Sequence, residues 1–258
     1  MATRAYNDME LMVCVASRLL TDNSFCVVGT GGPCAATMLA QRTRAPNLIA
    51  SFEAGGTGAK LEALPISVGD SRTWYRGLTS GSMAETMTAL ARGVVDYCFL
   101  GGAQIDMYGN LNSTQIGKDY RSPKVRFPGS GGANDLASHA WKTLVMTPQT
   151  PRRFTNDIHF YTSPGYLTGK GAREAAGLPP GTGPYRIVTQ LAVMDFAKES
   201  CRMRIRSLHP GIQLEQVHNA SGFELLVAEE LEATPAPTKE ELRILRDEVD
   251  PDRLFIGR

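Results

Sequence analysis

The chain has 258 residues, 42% of them hydrophobic, which is enough for a sizeable core in one large domain or two small ones. Twenty-seven lysines and arginines against 26 acids leave a net charge of +1, which excludes a global pull toward nucleic acid or a membrane surface. No apolar run nears the length of a membrane span, and the opening Met1-Ala2-Thr3-Arg4-Ala5-Tyr6 lacks a signal-peptide core, so a cytoplasmic location is expected.

Five cysteines, Cys14, Cys26, Cys34, Cys98 and Cys201, form no CxxC pair and mostly sit in apolar segments, as reduced core thiols do. The first helix is expected to start at Asp8, as its cap, and to carry Leu11, Met12, Val15 and Leu19 on one face, ending at Asp22-Asn23. Phe25-Cys26-Val27-Val28 reads as a short buried strand. Gly29-Thr30-Gly31-Gly32 follows, and Pro33 suits the first position of a helix running to about Ala40. A strand, a glycine loop and a helix start offer backbone N–H groups to an anion or an oxyanion.

The apolar run Leu48-Ile49-Ala50 leads into Ser51-Phe52-Glu53-Ala54-Gly55-Gly56-Thr57-Gly58. A buried strand ends here with a carboxylate at its C-terminal edge, where open α/β sheets bind ligands. The glycines beside Glu53 would let a ligand approach closely, so Glu53 is a candidate for covalent or acid/base chemistry. Residues 61–82 show no clear period. Met83, Met87 and Leu90 mark a helix ending at Gly93, and residues 94–100 read as a strand buried on both faces, interrupted by Asp96. Residues 107–131 lack a period and read as a long functional loop. It holds Lys118, Arg121, Lys124 and Arg126 against one acid, Asp119, a set suited to a phosphate-bearing ligand, and ends in a second glycine loop, Gly129-Ser130-Gly131-Gly132.

A helix from residue 133 to 140 and a strand from 143 to 146 are expected next. Residues 187–196 and 203–208 read as two strands joined by Ala197-Lys198-Glu199-Ser200, the second alternating toward solvent. Thr238-Lys239-Glu240-Glu241 is a capping-box start to a helix with Leu242, Leu245 and Val249. Residues 251–258 read as an extended arm. His139, His159, His209 and His218 show no metal-site spacing and read as structural, with His209 in the turn Leu208-His209-Pro210-Gly211. The sequence shows no domain linker, so residues 1–258 are taken as a single domain.

Two chemical readings compete. Gly29-x-Gly31 followed some twenty residues later by an acid imitates a dinucleotide fingerprint, but Cys34 after Pro33 occupies the position where helix packing needs Gly or Ala. Alternatively, Glu53 attacks a thioester while the two glycine loops hold the developing oxyanion and the basic loop holds phosphates.

The second reading coincides with a family resemblance. Val28-Gly29-Thr30-Gly31, Glu53, Pro65-Ile66-Ser67-Val68-Gly69-Asp70, the stretch FLGGAQID from Phe99 to Asp106, the stretch YGNLNS from Tyr108 to Ser113, Pro123-Lys124-Val125-Arg126-Phe127, Gly129-Ser130-Gly131-Gly132-Ala133-Asn134, Arg152-Arg153-Phe154, Thr162-Ser163-Pro164-Gly165 and Glu248-Val249-Asp250-Pro251 together resemble the β subunits of family I CoA-transferases, that of glutaconate CoA-transferase in particular. The resemblance implies an α/β fold with an open, mixed, mostly parallel sheet flanked by helices, related to ribose-5-phosphate isomerase and glucosamine-phosphate deaminase. It implies an α subunit as partner, in an α2β2 or higher hetero-oligomer, and no nucleic-acid or membrane partner.

By the same resemblance Glu53 is the catalytic glutamate. It attacks an acyl-CoA, passes through an acyl–glutamyl anhydride and becomes a glutamyl-CoA thioester, from which a carboxylate acceptor takes the CoA. Gly31 and Gly132 map to oxyanion donors. Gly102, Gln104, Asn112, Lys118, Arg121, Lys124, Arg126 and Gly131 map to CoA or substrate binding. No tightly bound cofactor is implied; coenzyme A thioester is a substrate. A small dicarboxylate or related acid such as glutaconate is the implied acyl group. Phe52 and residues 54–58 differ from the glutaconate enzyme. Related ring-opening hydrolases share a turn like 208–211, and related decarboxylases exist, but both groups lack the nucleophilic glutamate. A non-catalytic scaffold is disfavoured by the glutamate between glycine loops.

Overall fold

The computed structural model describes residues 5–257; residues 1–4 of the opening stretch and Arg258 at the end of the tail lie outside them. The described chain resolves into two compact units. One holds the residues up to Phe99 together with those from Pro235 onward, and the other is Leu100–Thr234.

In the first unit, helix α1 (Asp8–Arg18) starts under Asn7 rather than Asp8. The Asn7 side chain accepts the Glu10 N–H at 2.9 Å while the Glu10 carboxylate accepts the Asn7 N–H at 2.9 Å. Asn7 has a glutamate three positions on; Asp8 has Leu11 there and cannot close the reciprocal pair. The helix also ends earlier than Asp22-Asn23, with Leu19 as its cap. Nearly all of α1 is buried, including Leu11, Val13 and Cys14, so its apolar residues pack on more than one face.

Strand β1 (Phe25–Val27), helix α2 (Gly32–Thr43), strand β2 (Ile49–Ser51), strands β3 (Gly56–Thr57) and β4 (Thr79–Ser80), helix α3 (Met83–Ala91) and strand β5 (Tyr97–Leu100) follow. The strands lie in the order β5-β1-β2-β3-β4; β1 is parallel to β5 and β2, and β2, β3 and β4 pair antiparallel. The unassigned stretch 61–82 contains one 3₁₀ turn, Ser71–Trp74, and β4. The strand expected over 94–100 begins only at Tyr97, and Val94 is exposed. Asp96 is no interruption: its carboxylate accepts the Phe25 N–H at 2.8 Å and so extends the β1–β5 pairing.

The second unit opens with two small ribbons, β6 (Gln104–Ile105) with β7 (Leu111–Asn112) and β8 (Gln115–Ile116) with β9 (Val125–Arg126), so the stretch expected to be one long loop is partly folded. Helix α4 (Ala133–His139), strand β10 (Lys142–Met146), helix α5 (Ala172–Ala175), strands β11 (Pro184–Val188), β12 (Ala192–Phe196) and β13 (Met203–Leu208), helix α6 (Leu214–Asn219) and strand β14 (Leu226–Ala233) complete it. The order is β14-β13-β12-β11-β10, with β10–β11 and β13–β14 parallel and the pairs between them antiparallel. The run 187–196, expected as one strand, is a hairpin. The Thr189 hydroxyl accepts the N–H groups of Leu191 and Ala192, both at 3.1 Å, and turns the chain in mid-run. On β13, Met203 and Ile205 are buried while Arg204 reaches Asp195 with two hydrogen bonds of 2.8 and 2.9 Å.

The chain then returns to the first unit as α7 (Lys239–Ile244), capped by Thr238 and Glu241 as expected, followed by a π turn, Leu245–Val249. Two forked ion pairs fasten this segment to α1. Arg18 grips Glu241 at 2.7 and 2.6 Å, and Arg246 grips Glu10 at 2.6 and 2.9 Å. The residues after Pro251 are not an extended arm. The buried Asp250 carboxylate accepts the N–H groups of Leu254, Phe255 and Ile256 at 2.9, 2.8 and 2.9 Å, which bends the segment into turns and buries Ile256. The open mixed sheet flanked by helices that the sequence implied is present.

Burial pushes the Glu10 carboxyl up, but hydrogen bonds from Arg246 and the Asn7 N–H outweigh it and hold it below the usual glutamate value of 4.5. A carboxyl depressed in the folded state stabilises fully above its unfolded value and loses that contribution as the pH falls through the folded one. Glu10→Gln should therefore lower stability at pH 7 by about 2–3 kcal/mol, less than a fully buried pair because Arg246 keeps some solvent contact. The difference from wild type should shrink below about pH 4, as followed by denaturant unfolding across pH.

Candidate active site

The parallel register of β1 and β2 builds the edge on which Glu53 sits. Val27 lies opposite Ser51, and the Val28 N–H bonds the Ser51 carbonyl at 2.9 Å. Two residues beyond that pair, the chain has reached Gly29 on one side and Glu53 on the other. Phe52 is fully buried and anchors the end of β2. Its N–H donates to the Gly56 carbonyl at 2.8 Å and its carbonyl accepts the Gly55 N–H at 2.9 Å. Residues 52–55 thus form a tight turn with Glu53 at its first corner, half-buried, immediately past the strand end.

The glycines that follow Glu53 serve the chain's own backbone rather than a ligand. Gly55 has φ +110°, and a Cβ there would lie 2.2 Å from the Gly81 carbonyl oxygen. A Cβ on Gly56 would lie 2.2 Å from the Thr73 carbonyl oxygen, and one on Gly58 2.6 Å from the Leu78 side chain. The room expected for a ligand beside Glu53 is filled by β4 and the 3₁₀ turn. The glycine loop after β1 is different. Gly29 has nothing within 4 Å of a Cβ position, and Gly31, at φ +78°, caps α2 with a backbone conformation that side chains rarely adopt. The helix starts at Gly32, one residue before the expected Pro33, which stands second in its first turn, and α2 runs past Ala40 to Thr43. Burial of Cys34 pushes its thiol up to about 12, so no thiolate is available beside this loop.

The remaining sequence-selected residues lie in the second unit. Asn112 and Gln104 are buried and spend their polar atoms on each other and on nearby backbone. Asn112 Nδ2 donates to Gln104 Oε1 and to the Gln115 carbonyl, both at 2.7 Å. Gln104 Oε1 also accepts the His159 N–H at 3.0 Å, and Nε2 donates to the Asp157 carbonyl at 3.1 Å. They hold the two ribbons together. Gly102 is confined by the Gln104 and Asn112 carbonyls, and its own carbonyl accepts Arg153 Nη1 at 2.6 Å. Arg153, in the Arg152-Arg153-Phe154 motif, has no role assigned by the sequence; its second bond, to Thr147 Oγ1 at 3.0 Å, makes it a strut behind the Gly102 turn.

Among the four cations, Lys118 pairs with the exposed Asp157 at 2.6 Å, and Arg126 lies 4.5 Å over the Tyr120 ring and donates to Gln115 Oε1 at 2.9 Å. Arg121 and Lys124 are exposed. In the second glycine loop, Gly129 and Gly131 take positive φ while the buried Gly132 caps α4 at φ −81°. Ser113 ties this loop down: its carbonyl accepts the Gly129 N–H at 3.2 Å and its hydroxyl donates to the Gly129 carbonyl at 3.3 Å. The buried His209 bonds the Thr189 carbonyl through Nε2 at 2.9 Å and steadies the β11–β12 turn.

An acid and a glycine loop thus stand on adjacent strand ends, at the edge where open α/β sheets bind ligands. The sequence pattern described as Coenzyme A transferase matches residues 10–220, and the chain belongs to that family. It is 39% identical over 253 residues to the β subunit of the 3-oxoadipate CoA-transferase of Pseudomonas knackmussii, covering 94% of this chain and 93% of that one. It is 35% identical to the β subunit of the glutaconate CoA-transferase of Acidaminococcus fermentans, covering 97% and 95%. Its fold superposes on the crystal structure of the glutaconate coenzyme A-transferase of that organism with a TM-score of 0.93, at 33% identity over 98% of both chains. No helix among the described residues is long and apolar enough to cross a membrane.

The two kinds of glycine separate by mutation. Gly56→Ala should cost about 1–3 kcal/mol of stability, because backbone cannot move away from the new Cβ without disturbing β3. Gly29→Ala should melt like wild type, and any rise in KM for acyl-CoA in this variant reports close ligand approach at the loop. Thermal melts and initial rates on the two variants check both statements.

Proposed function

We propose that this chain is the nucleophile-bearing subunit of an acyl-CoA:carboxylate CoA-transferase and works with a partner α subunit. The observation that carries this reading is the position of Glu53, at a turn corner past the end of β2 and level with the open loop after β1. The Glu53 carboxylate adds to the thioester carbonyl of the donor, and the CoA thiolate leaves to give an acyl–glutamyl anhydride. The thiolate then adds to the glutamyl carbonyl and expels the donor's carboxylate, leaving a glutamyl-CoA thioester. An acceptor carboxylate repeats the two additions in reverse order and departs as acyl-CoA, restoring Glu53. Every bond broken is matched by one formed, so no cofactor is needed beyond the CoA that is exchanged.

A carboxylate is a weak nucleophile, and each addition puts negative charge on a carbonyl oxygen. Backbone donors fixed in place before reaction stabilise that charge most effectively. The N–H groups of the loop that ends in Gly31 are offered for this role. Arg121 and Lys124, exposed on the second unit, are the cations proposed for the phosphates of CoA, while Lys118 and Arg126 already have side-chain partners. The acyl group is proposed to be a short dicarboxylate. Support comes from the two relatives, named for 3-oxoadipate and glutaconate, the former the more similar of the two. A hetero-oligomer such as α2β2 in the cytoplasm is the proposed working form.

The test is steady-state kinetics on the complex with its partner subunit. Wild type should show ping-pong kinetics with 3-oxoadipate or glutaconate as one of the carboxylates. Glu53→Gln, which keeps size and most hydrogen bonding, should lose transfer by more than about a thousandfold with an unchanged melting temperature. A Gln variant within tenfold of wild type, or a thioesterase or decarboxylase activity that needs no acceptor, overturns the transfer mechanism.

A further inference from the structure

The closing stretch Glu248-Val249-Asp250-Pro251 belongs to the family resemblance, yet nothing in the chemistry above uses it. The structure shows what it supports. Asp250 is 2% exposed, and its two carboxylate oxygens accept three successive backbone N–H groups, those of Leu254, Phe255 and Ile256. A carboxylate holding three N–H groups fixes a turn firmly, because each bond is charge-assisted and an irregular segment has no ladder of its own to satisfy those donors. The turn is pinned a second time at its far end. Asn7, which caps α1, donates Nδ2 to the Ile256 carbonyl at 2.6 Å.

The residue delivered by this double fastening is Phe255. Its ring lies against Gly31: a Cβ built on Gly31 would be 3.1 Å from Phe255 Cε1 and 3.2 Å from Cδ1. Gly31 is the left-handed residue at which the loop after β1 turns into α2. Glycine is favoured here by φ +78°, and a Cβ would also crowd the ring, which would have to give by a few tenths of an ångström. The loop is hydrogen-bonded at its two ends, through the Val28 N–H to the Ser51 carbonyl and the Gly31 carbonyl to the Ala35 N–H, and the aromatic ring packs on it at Gly31.

We propose that Phe255, set by Asp250, is a positioning residue that holds the 29–32 loop in the conformation in which its N–H groups meet the developing oxyanion. This rests on the reading of that loop as an oxyanion donor. Neither residue touches substrate; both act through Gly31. Their removal should loosen the loop and weaken transition-state stabilisation more than substrate binding, since a misplaced donor costs most when charge develops.

The experiment uses the complex with its partner subunit, in wild type and in Phe255→Ala, Phe255→Leu and Asp250→Asn. Hydrogen exchange of the peptide spanning residues 28–34 is measured beside kcat and KM for acyl-CoA. In Phe255→Ala, exchange in that peptide should speed up at least tenfold and kcat should fall by about ten- to a hundredfold with KM within threefold of wild type. Phe255→Leu, which restores an apolar wall and keeps the fold if the alanine variant does not, should recover most of both. Asp250→Asn should reproduce the alanine phenotype, and the Asp250→Asn, Phe255→Ala double variant should be no worse than the poorer single, because both act on one loop. Unchanged exchange in residues 28–34 overturns the buttress. Faster exchange with unchanged kcat overturns instead the reading of the loop as an oxyanion donor, and the positioning role with it. A rise in KM alone, with kcat intact, likewise contradicts it.

Discussion

The pairing of β1 with β2 is only three residues long, yet the rest of the site depends on its register. Phe25, Cys26 and Val27 face Ile49, Ala50 and Ser51, and the Val28 N–H closes the pair onto the Ser51 carbonyl. Ala50, Ser51 and Phe52 are buried in succession, so the end of β2 is packed on both faces and anchored by the Phe52 ring, and Glu53 is the first residue after it that reaches partial exposure. The tight turn of residues 52–55 then fixes where the carboxylate stands relative to the loop after β1.

The first unit is closed by a segment remote in sequence. The chain from Pro235 onward lies across α1 and is held by Arg18–Glu241 and Glu10–Arg246, both forked and partly or wholly shielded from solvent. Such pairs differ in kind from Lys118–Asp157, whose two side chains are mostly exposed and whose contribution is on the order of 0–1 kcal/mol. Beneath the clips, Leu242, Leu245 and Val249 are buried, and burial of such side chains at about 1.5–3 kcal/mol each outweighs the ion pairs. The hydrophobic contacts hold the segment down; the charged forks set its direction, and hence where Asp250 and Phe255 arrive.

How far the sequence foretells this varies with how local the cause is. The two short strands around Cys26 and Ala50 and the helix after the first glycine loop are legible to within a residue or two at their ends, and the capping box at Thr238 is legible outright, because each depends on residues within a turn of one another. The α1 cap falls one residue before the expected one, since Asn7 and Asp8 are both good caps and only the position of Glu10 decides between them. The tail reads as extended in sequence because three N–H groups converging on Asp250 leave no periodic signature. The glycines at 55, 56 and 58 are legible as necessary, but their purpose is not: the atoms that need the space, the carbonyls of Gly81 and Thr73 and the Leu78 side chain, lie some twenty residues on. Gln104 and Asn112 fall to substrate binding by resemblance, whereas in three dimensions their polar atoms are bound to each other and to the ribbons. Glu53 is legible as the acid that follows a buried strand, and the structure places it there, half-buried at a turn corner.

The proposed mechanism turns on a covalent bond between Glu53 and coenzyme A. It is tested most directly by incubating the subunit complex with acyl-CoA in the absence of acceptor, trapping with borohydride or hydroxylamine, and mapping the peptide that carries Glu53 by mass spectrometry. The Glu53 side chain should be modified in proportion to lost activity. An unmodified Glu53 in a complex that turns over acyl-CoA would contradict it.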